Sequence, residues 1–197
     1  MKPEETYQQY LADKTSTQPE EYTDMLRTGN IDEHFTNKIN LLTHIFNFNE
    51  ATSILDVGSS GFFTSLLMRD RPGIKRATVI DGNKEQMQSI QPYIDKRITQ
   101  VYHNFYQQPF PNISHHHLAL HIDFAEHLPD DLYTEILHWT MERAQGVYIY
   151  TPEYPNCADQ YEHISVKTQT YFHSILRRYQ YEIFAVGGRL FIVANNR

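Results

Sequence analysis

A short apolar stretch that runs into a turn of small residues constrains the fold of this chain more than any other segment. Residues 54–57 predict a buried strand, and the run Gly58–Gly61 predicts a tight turn before a helix that begins at Phe62. Glycine lets a backbone approach a ligand closely, and the unpaired N–H groups at a helix start favour negative charge. The segment therefore predicts a strand–turn–helix unit that can hold the polar end of a ligand.

Strands and helices alternate along the rest of the chain. Apolar runs predict further strands at residues 77–80, 98–102, 117–122 and 147–150. Helical patterns occupy residues 30–47, 62–68, 83–89, 130–144 and 168–178. Two closing strands, residues 181–186 and 189–194, flank Gly187-Gly188 and predict a β-hairpin. We therefore predict an α/β fold, a Rossmann-like three-layer sandwich around a mostly parallel seven-stranded sheet with a C-terminal antiparallel hairpin.

The N-terminal segment differs in composition from this alternating region. We expect residues 1–36 to form a helical arm or lid and residues 37–197 to form one domain, which suits a chain of 197 residues. Aromatic side chains in this polar arm could close over a ligand, although packing as a docking stripe on the domain is the commoner role. These side chains are Tyr7, Tyr10, Tyr22 and Phe35.

Charge and cysteine usage exclude several classes of protein. The net charge is −7, and compact basic pairs such as Lys75-Arg76 and Arg177-Arg178 form no stripe, whereas a nucleic-acid binder needs a basic surface. We therefore expect no nucleic-acid partner. No apolar run reaches the roughly 18 residues of a membrane span, so no membrane partner is expected either. The single cysteine, Cys157, excludes an intramolecular disulfide, and we expect a cytoplasmic protein.

An acidic residue ends the second predicted strand. Asp81 follows an apolar run at the strand tip, about 20 residues past the turn, where a carboxylate can accept hydrogen bonds from both hydroxyl groups of a ribose. The alternative is a helix N-cap; the strand–turn–helix context favours the ribose. A dinucleotide fingerprint is absent, because Ser60 and Phe63 stand where G-x-G-x-x-G requires glycine. A pyrophosphate group would fit this turn poorly.

With these features the chain resembles the class I S-adenosylmethionine-dependent methyltransferases of the small-molecule type. Residues 54–64 resemble the first motif of that family, although Ser60 replaces its second glycine and Gly61 stands one position late. The run Glu126-His127-Leu128-Pro129 is the most specific later match, and the resemblance extends over residues 37–195. It implies S-adenosyl-L-methionine as cofactor and methyl transfer to an oxygen or nitrogen of a small-molecule acceptor.

The resemblance also implies a set of cofactor-binding residues near the ends of the first four strands. They are Asp56, Gly58, Ser59, Ser60, Gly61, Phe62, Asp81, Gly82, Asn104, Phe105, Ile122 and Asp123. Asn104 stands where the family commonly has an Asp that contacts the adenine amino group, and its amide oxygen can accept the same hydrogen bond. Asp123 either faces the cofactor or caps the next turn.

Three residues are candidate general bases: His127, Glu153 and His163. Methyl transfer mainly requires alignment of donor and acceptor, so a base is needed only when the acceptor must lose a proton. Each candidate has a structural alternative. His127 suits a turn residue that bonds a backbone carbonyl, Glu153 suits a solvated loop carboxylate, and His163 suits a residue that anchors a loop. We expect no metal site, because the adjacent histidines at 115–117 would point to opposite faces of a strand.

Two other functions stay open. A catalytically silent S-adenosylmethionine-binding regulatory module is suggested by the shifted Gly61 and by Asn104 in place of an acidic residue. A protein or nucleic-acid methyltransferase is the second, and the acidic net charge disfavours its nucleic-acid form. The identity of the acceptor and the formation of a homodimer also stay open.

Overall fold

The computed structural model describes residues 4–9, 12, 19–155 and 163–196. From residue 19 onward its helices are α1 (Pro19–Thr28), α2 (Glu33–Ile45), α3 (Phe62–Asp70), α4 (Lys84–Ile90), α5 (Asp130–Met141) and α6 (Gln169–Ile175). Its strands are β1 (Ser53–Val57), β2 (Arg76–Asp81), β3 (Ile98–Tyr102), β4 (His116–Ile122), β5 (Ala144–Pro152), β6 (Gln180–Val186) and β7 (Arg189–Asn195). A single 3₁₀ turn, Ala125–His127, follows β4.

The seven strands form one sheet in the order β3-β2-β1-β4-β5-β7-β6. Strands β1 to β5 are parallel, and β7 runs antiparallel between β5 and β6. The predicted fold class, including the C-terminal hairpin, is confirmed. The strand order reverses between β1 and β4, and in open α/β sheets this switch point opens a crevice at the carboxyl ends of the strands.

Alternating residues of the central strands supply two hydrophobic cores, one on each face of the sheet. In β1, Ile54 packs in one core and Leu55 in the other, as the two-residue period of a strand requires. The first core joins the sheet to helices α1 to α4 through side chains that include Leu26, Leu42, Leu66 and Ile90. The second joins it to α5 and α6 through side chains that include Tyr133, Ile136, Leu137 and Phe172. The result is a three-layer sandwich.

Most predicted elements are found, with shifts at their ends. Strand β3 has the predicted bounds, whereas α5 ends at Met141 rather than at residue 144. The cause is β5, which begins at Ala144 because that residue pairs with His116 of β4, and which extends to Pro152 through its pairing with β7. Helix α6 begins one residue later than predicted and ends at Ile175. The local pattern predicts the type of each element, and neighbouring strands set its ends.

The N-terminal arm packs as part of the same structure. Met25 of α1 and Ile39 of α2 are buried in the core that also contains Ile54 of β1. The predicted boundary between residues 36 and 37 falls inside α2. Tyr7 is buried with its ring 5.5 Å from that of Tyr106, whereas Tyr10 and Cys157 lie outside the described residues.

The consecutive histidines at the start of β4 make separate structural contacts. His116 lies 3.0 Å from the hydroxyl of Thr78, and burial lowers the pKa of His116 to about 4. The Nδ1 atom of His117 lies 2.9 Å from the hydroxyl of Ser53. Neighbouring positions of the strand therefore serve different faces of the sheet. Within the described ranges, no helix is both long enough and apolar enough to cross a membrane.

Helix α2 depends on its N-cap. The carboxylate of Asp32 accepts a hydrogen bond of 2.8 Å from the backbone N–H of Phe35. We expect Asp32→Ala to lower the free energy of unfolding by about 1 kcal/mol, because a helix start loses one acceptor for its unpaired N–H groups. Urea denaturation measures the change. Asp32→Asn retains a cap and is expected to stay close to the wild type; an equal loss in both variants would contradict this role.

Candidate functional site

The turn after β1 adopts backbone conformations that small residues tolerate best. Gly58, Ser60 and Gly61 have φ values of 90°, 55° and 105°, all in the left-handed region. The N–H of Gly58 donates to the carbonyl of Ile80 at 2.8 Å, which joins the turn to β2. Gly61 then precedes the first residue of α3. The strand–turn–helix unit predicted from the sequence is confirmed.

Asp81 lies directly against this turn. Its Oδ2 atom accepts hydrogen bonds from the N–H of Ser60 at 2.7 Å and from the Ser60 hydroxyl at 3.0 Å. Its Oδ1 atom accepts from the N–H of Asn83 at 2.7 Å, and the residue is only 5 % exposed. Asn83, not Asp81, caps α4, because its side chain accepts from the N–H of Gln86. The ribose contact of Asp81 stays a prediction.

Asp56 is a fully buried carboxylate at the end of β1. The hydroxyl groups of Ser59 and Thr64 both donate to its Oδ2 atom. Its Oδ1 atom is buried without a hydrogen-bond partner among the described residues. Burial raises the pKa of Asp56 to about 6, an effect that the two hydroxyl groups oppose. A buried acceptor without a partner is costly, so a ligand that donates to Oδ1 would be stabilised there.

A cavity of about 80 Å³ lies at this edge of the sheet. Predicted cofactor-binding residues on its walls are Gly58, Ser59, Phe62, Ile122 and Asp123. The other lining residues are Tyr22, Phe35, Lys38, Ile39, Phe63, Leu66 and Gln86. The structure therefore brings the turn, the end of β4 and the N-terminal helices together around one space.

Aromatic side chains of α1 and α2 cover the cavity. The ring of Tyr22 stacks on that of Phe62 with centroids 4.3 Å apart, and Phe35 meets Phe62 edge-on at 5.2 Å. Both contacts join the N-terminal helices to Phe62, the first residue of α3. In this conformation the cavity is smaller than the roughly 300–1,000 Å³ of ordinary small-molecule sites. The cover is formed by two of the aromatic residues that the sequence suggested for a lid or a docking stripe.

Asp123 is held by two cations from distant parts of the chain. It has a φ of 47°, and both Lys38 Nζ and Arg189 Nη1 donate to its carboxylate, the latter at 3.2 Å. Each of these cations also lies 5.4 Å from the ring of Tyr150. No sequence motif indicates Lys38 or Arg189, since they precede and follow Asp123 by 85 and 66 positions. The only sequence signal is the acidic residue at the strand end.

Seven of the twelve predicted cofactor-binding residues do not line the cavity: Asp56, Ser60, Gly61 and Asp81, described above, and Gly82, Asn104 and Phe105. The amide oxygen of Asn104 accepts a hydrogen bond of 3.0 Å from the N–H of Tyr106, within a local turn. Phe105 is 1 % exposed, and its ring packs 4.9 Å from that of Phe124 in the core. Gly82 is buried next to Asp81. Their cofactor contacts stay predictions.

Two of the three candidate bases lie together. The ring centroids of His127 and His163 are 5.3 Å apart, and the Glu126 carboxylate completes a group whose ligand atoms lie within 4.8 Å of one another. Burial, aided by the nearby negative charge of Asp123, raises the pKa of Glu126 to about 8. Glu153 is not in this group; its carboxylate accepts from the Gln169 amide at 2.7 Å. The sequence indicated Glu126 only as part of a motif.

Solved structures share this architecture. DhpI, in a complex described as DhpI-SAM-HEP, superposes with a TM-score of 0.70 at 11 % identity, over 97 % of this chain and 96 % of that one. An O-methyltransferase family protein from Burkholderia thailandensis gives 0.68 at 9 % identity, over 93 % of this chain and 61 % of that one. Human N-acetylserotonin methyltransferase in complex with S-adenosylmethionine gives 0.67 at 14 % identity, over 90 % and 56 %.

The chain has the fold of the class I small-molecule methyltransferases that use S-adenosylmethionine. It spans only about three fifths of the length of the last two proteins, so the activities of those proteins are not assigned to this chain by the likeness. No family model and no curated protein matches the sequence. At identities of 9–14 %, the likeness establishes the architecture, and the chemistry has to be argued from the site.

Proposed function

We propose that this protein binds S-adenosylmethionine and transfers its methyl group to an oxygen or nitrogen of a small molecule. The observation that carries the proposal is the junction of the positive-φ turn with Asp81, beside a cavity at the switch point of the sheet. Ligands of open α/β sheets bind at this place. The buried Oδ1 atom of Asp56 adds an acceptor without a partner on the same turn.

The residues around the cavity suit the two ends of this cofactor. The carboxylate of Asp81 would hold the nucleoside end, and the turn at Gly58 would accommodate the methionyl end, where the buried Oδ1 atom of Asp56 would accept a hydrogen bond from the ammonium group. When bound, the cofactor supplies a methyl group that the sulfonium already activates. The protein's part is then to align the acceptor and exclude water, which can contribute about 7–11 kcal/mol.

Binding requires the aromatic cover to move. A cavity of about 80 Å³ is too small for an adenosine-bearing ligand, so Tyr22 and Phe35 must leave Phe62 when the cofactor enters. Rotation of the Tyr22 and Phe35 side chains can provide this opening, since each aromatic pair contributes only about 0.5–1.5 kcal/mol beyond the burial of its area. Closure over the bound cofactor would then exclude water from the transfer step.

The acceptor side of the proposal uses the other end of the same sheet edge. His127 and His163 follow β4 and β5, and an imidazole ring can take a proton from a hydroxyl or ammonium group. A net charge of −7 favours a small molecule over nucleic acid. A cytoplasmic location follows from the single cysteine as part of the same proposal.

Isothermal titration calorimetry with S-adenosylmethionine and with its demethylated product tests the proposal. We expect both to bind, and we expect Asp81→Asn to bind at least about tenfold more weakly, because charge-assisted hydrogen bonds are lost. Asp70→Asn is the matched control, since it neutralises an exposed carboxylate at the last residue of α3, at the opposite end of that helix from the turn. Folded wild-type protein that gives no heat at millimolar ligand would rule out the proposed cofactor.

A catalytically silent binding module is the second candidate. The small covered cavity and the engagement of the Asn104 amide oxygen by Tyr106 favour it. Incubation with a radiolabelled methyl donor and a cell-derived metabolite pool separates the two functions. Labelled product supports the enzyme, whereas tight cofactor binding without any labelled product supports the silent module.

A further inference from the structure

A second group of polar side chains lies beyond the covered cavity. The Glu126 carboxylate and the imidazole rings of His127 and His163 each offer one ligand atom, and these atoms lie within 4.8 Å of one another. Two imidazoles and a carboxylate form a donor set that suits first-row transition metals better than Mg²⁺ or Ca²⁺. We infer that Glu126, His127 and His163 form a binding site for one divalent first-row transition-metal ion, with Zn²⁺ as the reference ion.

The distances allow such an ion after small movements. Zinc binds histidine nitrogen and carboxylate oxygen at about 2.0–2.2 Å, which places neighbouring ligand atoms roughly 3–3.5 Å apart. His163 is half-buried on the segment after the β5 loop, so rotation of its side chain can shorten the separations. Glu126 and His127 are 1 % and 6 % exposed, so they provide the fixed part of the site.

The carboxylate of Glu126 is oriented before any ion binds. The hydroxyl of Thr151 at the end of β5 donates to its Oε2 atom at 3.0 Å. A hydrogen bond to one carboxylate oxygen holds the plane of the group and leaves the other oxygen able to coordinate. Nearby cations are already paired, Arg189 with Asp123 and Lys167 with Asp130, so neither requires Glu126 as its partner.

The two segments that carry the ligands are tied together. The N–H of Ser165 donates to the Glu126 carbonyl at 3.1 Å, and the buried ammonium of Lys167 donates to the Leu128 carbonyl at 2.7 Å. The Ser165 hydroxyl and the Lys167 ammonium both donate to Asp130, at 2.6 and 2.8 Å. This cross-linking sets His163 opposite His127 although 36 positions separate them in the chain, and it lowers the entropy lost when an ion binds.

Three protein ligands leave at least one coordination position for water or for an oxygen of a ligand, as in catalytic rather than structural zinc sites. The group lies at the ends of β4 and β5, next to the Asp123 that lines the cavity. If the proposed methyl transfer holds, the open position selects an acceptor that coordinates through oxygen, and the bound ion, rather than the two histidines, would then favour loss of the proton from that oxygen. That extension rests on the proposed function, whereas the metal site itself does not.

Metal titration of the full chain, first freed of metal with a chelator and without added cofactor, tests the inference. We expect one equivalent of Zn²⁺ to bind by calorimetry, and one equivalent of Co²⁺ to give a visible absorption band that Zn²⁺ abolishes. His127→Ala and His163→Ala should each weaken binding at least about 100-fold, since each removes a protein ligand. Excess Mg²⁺ should not displace Co²⁺.

His173→Ala is the matched control, because His173 is an exposed histidine that contacts Tyr181 elsewhere in the fold. It should bind as the wild type does. Circular dichroism verifies that each variant is folded. Because His163 is only half-buried, His163→Ala is expected to disturb the fold less than His127→Ala. Absence of binding to the wild type at 1 mM Zn²⁺, or binding unchanged in both ligand variants, overturns the inference.

The outcome is separable from the proposed function. Cofactor binding by a chain that takes up no metal would overturn only the metal site. Metal binding by a chain that gives no heat with S-adenosylmethionine would overturn only the proposed cofactor.

Discussion

Gly58→Ala is expected to lower the free energy of unfolding by about 3 kcal/mol. A Cβ atom at this position would lie 2.2 Å from Cδ2 of Phe124, far inside van der Waals contact. The φ of +90° adds strain of roughly 1–2 kcal/mol for an L-residue, and overpacking typically adds about 1–3 kcal/mol. The Phe124 ring cannot yield freely, because it is buried against Phe105 and Tyr133. Urea denaturation at constant pH measures the loss.

Gly187→Ala separates the two causes. Gly187 has a φ of +59°, but a Cβ there would meet nothing within 4 Å, so only the backbone strain remains. We expect a loss of about 1 kcal/mol for this control. Equal losses in the two variants would show that the contact with Phe124 does not matter. A larger loss at Gly58 shows that this glycine is required by packing beneath the turn, whatever ligand the turn holds.

Acidification is expected to destabilise the protein through His121. This imidazole is fully buried in the core between the Tyr133 and Thr140 hydroxyl groups, each 3.1 Å away, and burial lowers the pKa of His121 to about 3. The unfolded chain binds a proton near pH 6.5, whereas the folded chain does not. The contribution of neutral His121 to the free energy of unfolding is therefore fully present well above pH 6.5, and it is lost as the pH falls towards 3. Between pH 6.5 and 4.5 the loss is about 2 kcal/mol.

The difference in slope between two variants isolates this effect. His121→Gln keeps polar atoms in the core but cannot titrate, so its unfolding free energy should depend less on pH by that amount. His173→Gln, at an exposed histidine, should retain the wild-type slope. The comparison is necessary because the raised pKa of Asp56 acts in the opposite direction, adding stability as the pH falls below 6. Parallel pH profiles for all three proteins would refute the assignment.

Part of the candidate site could be predicted from the sequence because its members share local patterns. The apolar run of β1, the small residues after it and the carboxylate at the end of β2 each belong to one short segment. Parallel strands place their carboxyl ends at one edge, so Gly58 and Asp81 had to come close, and the 2.7 Å bond from Ser60 to Asp81 agrees. Phe105 shows where such local prediction stops. An aromatic residue after β3 suits either a ligand or the core, and in the structure the side chain of Phe105 packs in the core.

The grouping of the candidate bases belongs to the part of the site that the sequence does not predict. His127 and His163 could be named singly from their positions after strands, but no local pattern shows that they meet. Glu126 stands beside His127 in the sequence, whereas the hydrogen bonds of Ser165 and Lys167 bring His163 to the same point. Glu153 has an equally suitable position in the sequence, yet it pairs with Gln169 instead.

The sequence by itself determined the order and type of the elements, the closing hairpin and the small-residue turn, because periodicity and backbone preference act within a few residues. Tertiary structure alone decided that Lys38 and Arg189 meet at Asp123 and that Tyr22 covers Phe62. These contacts join segments tens of residues apart, and their formation depends on how helices pack on the finished sheet. Local patterns carry no information about such packing. The shape of the cavity and the ion-pair partners of each charged side chain are therefore decided only in the folded chain.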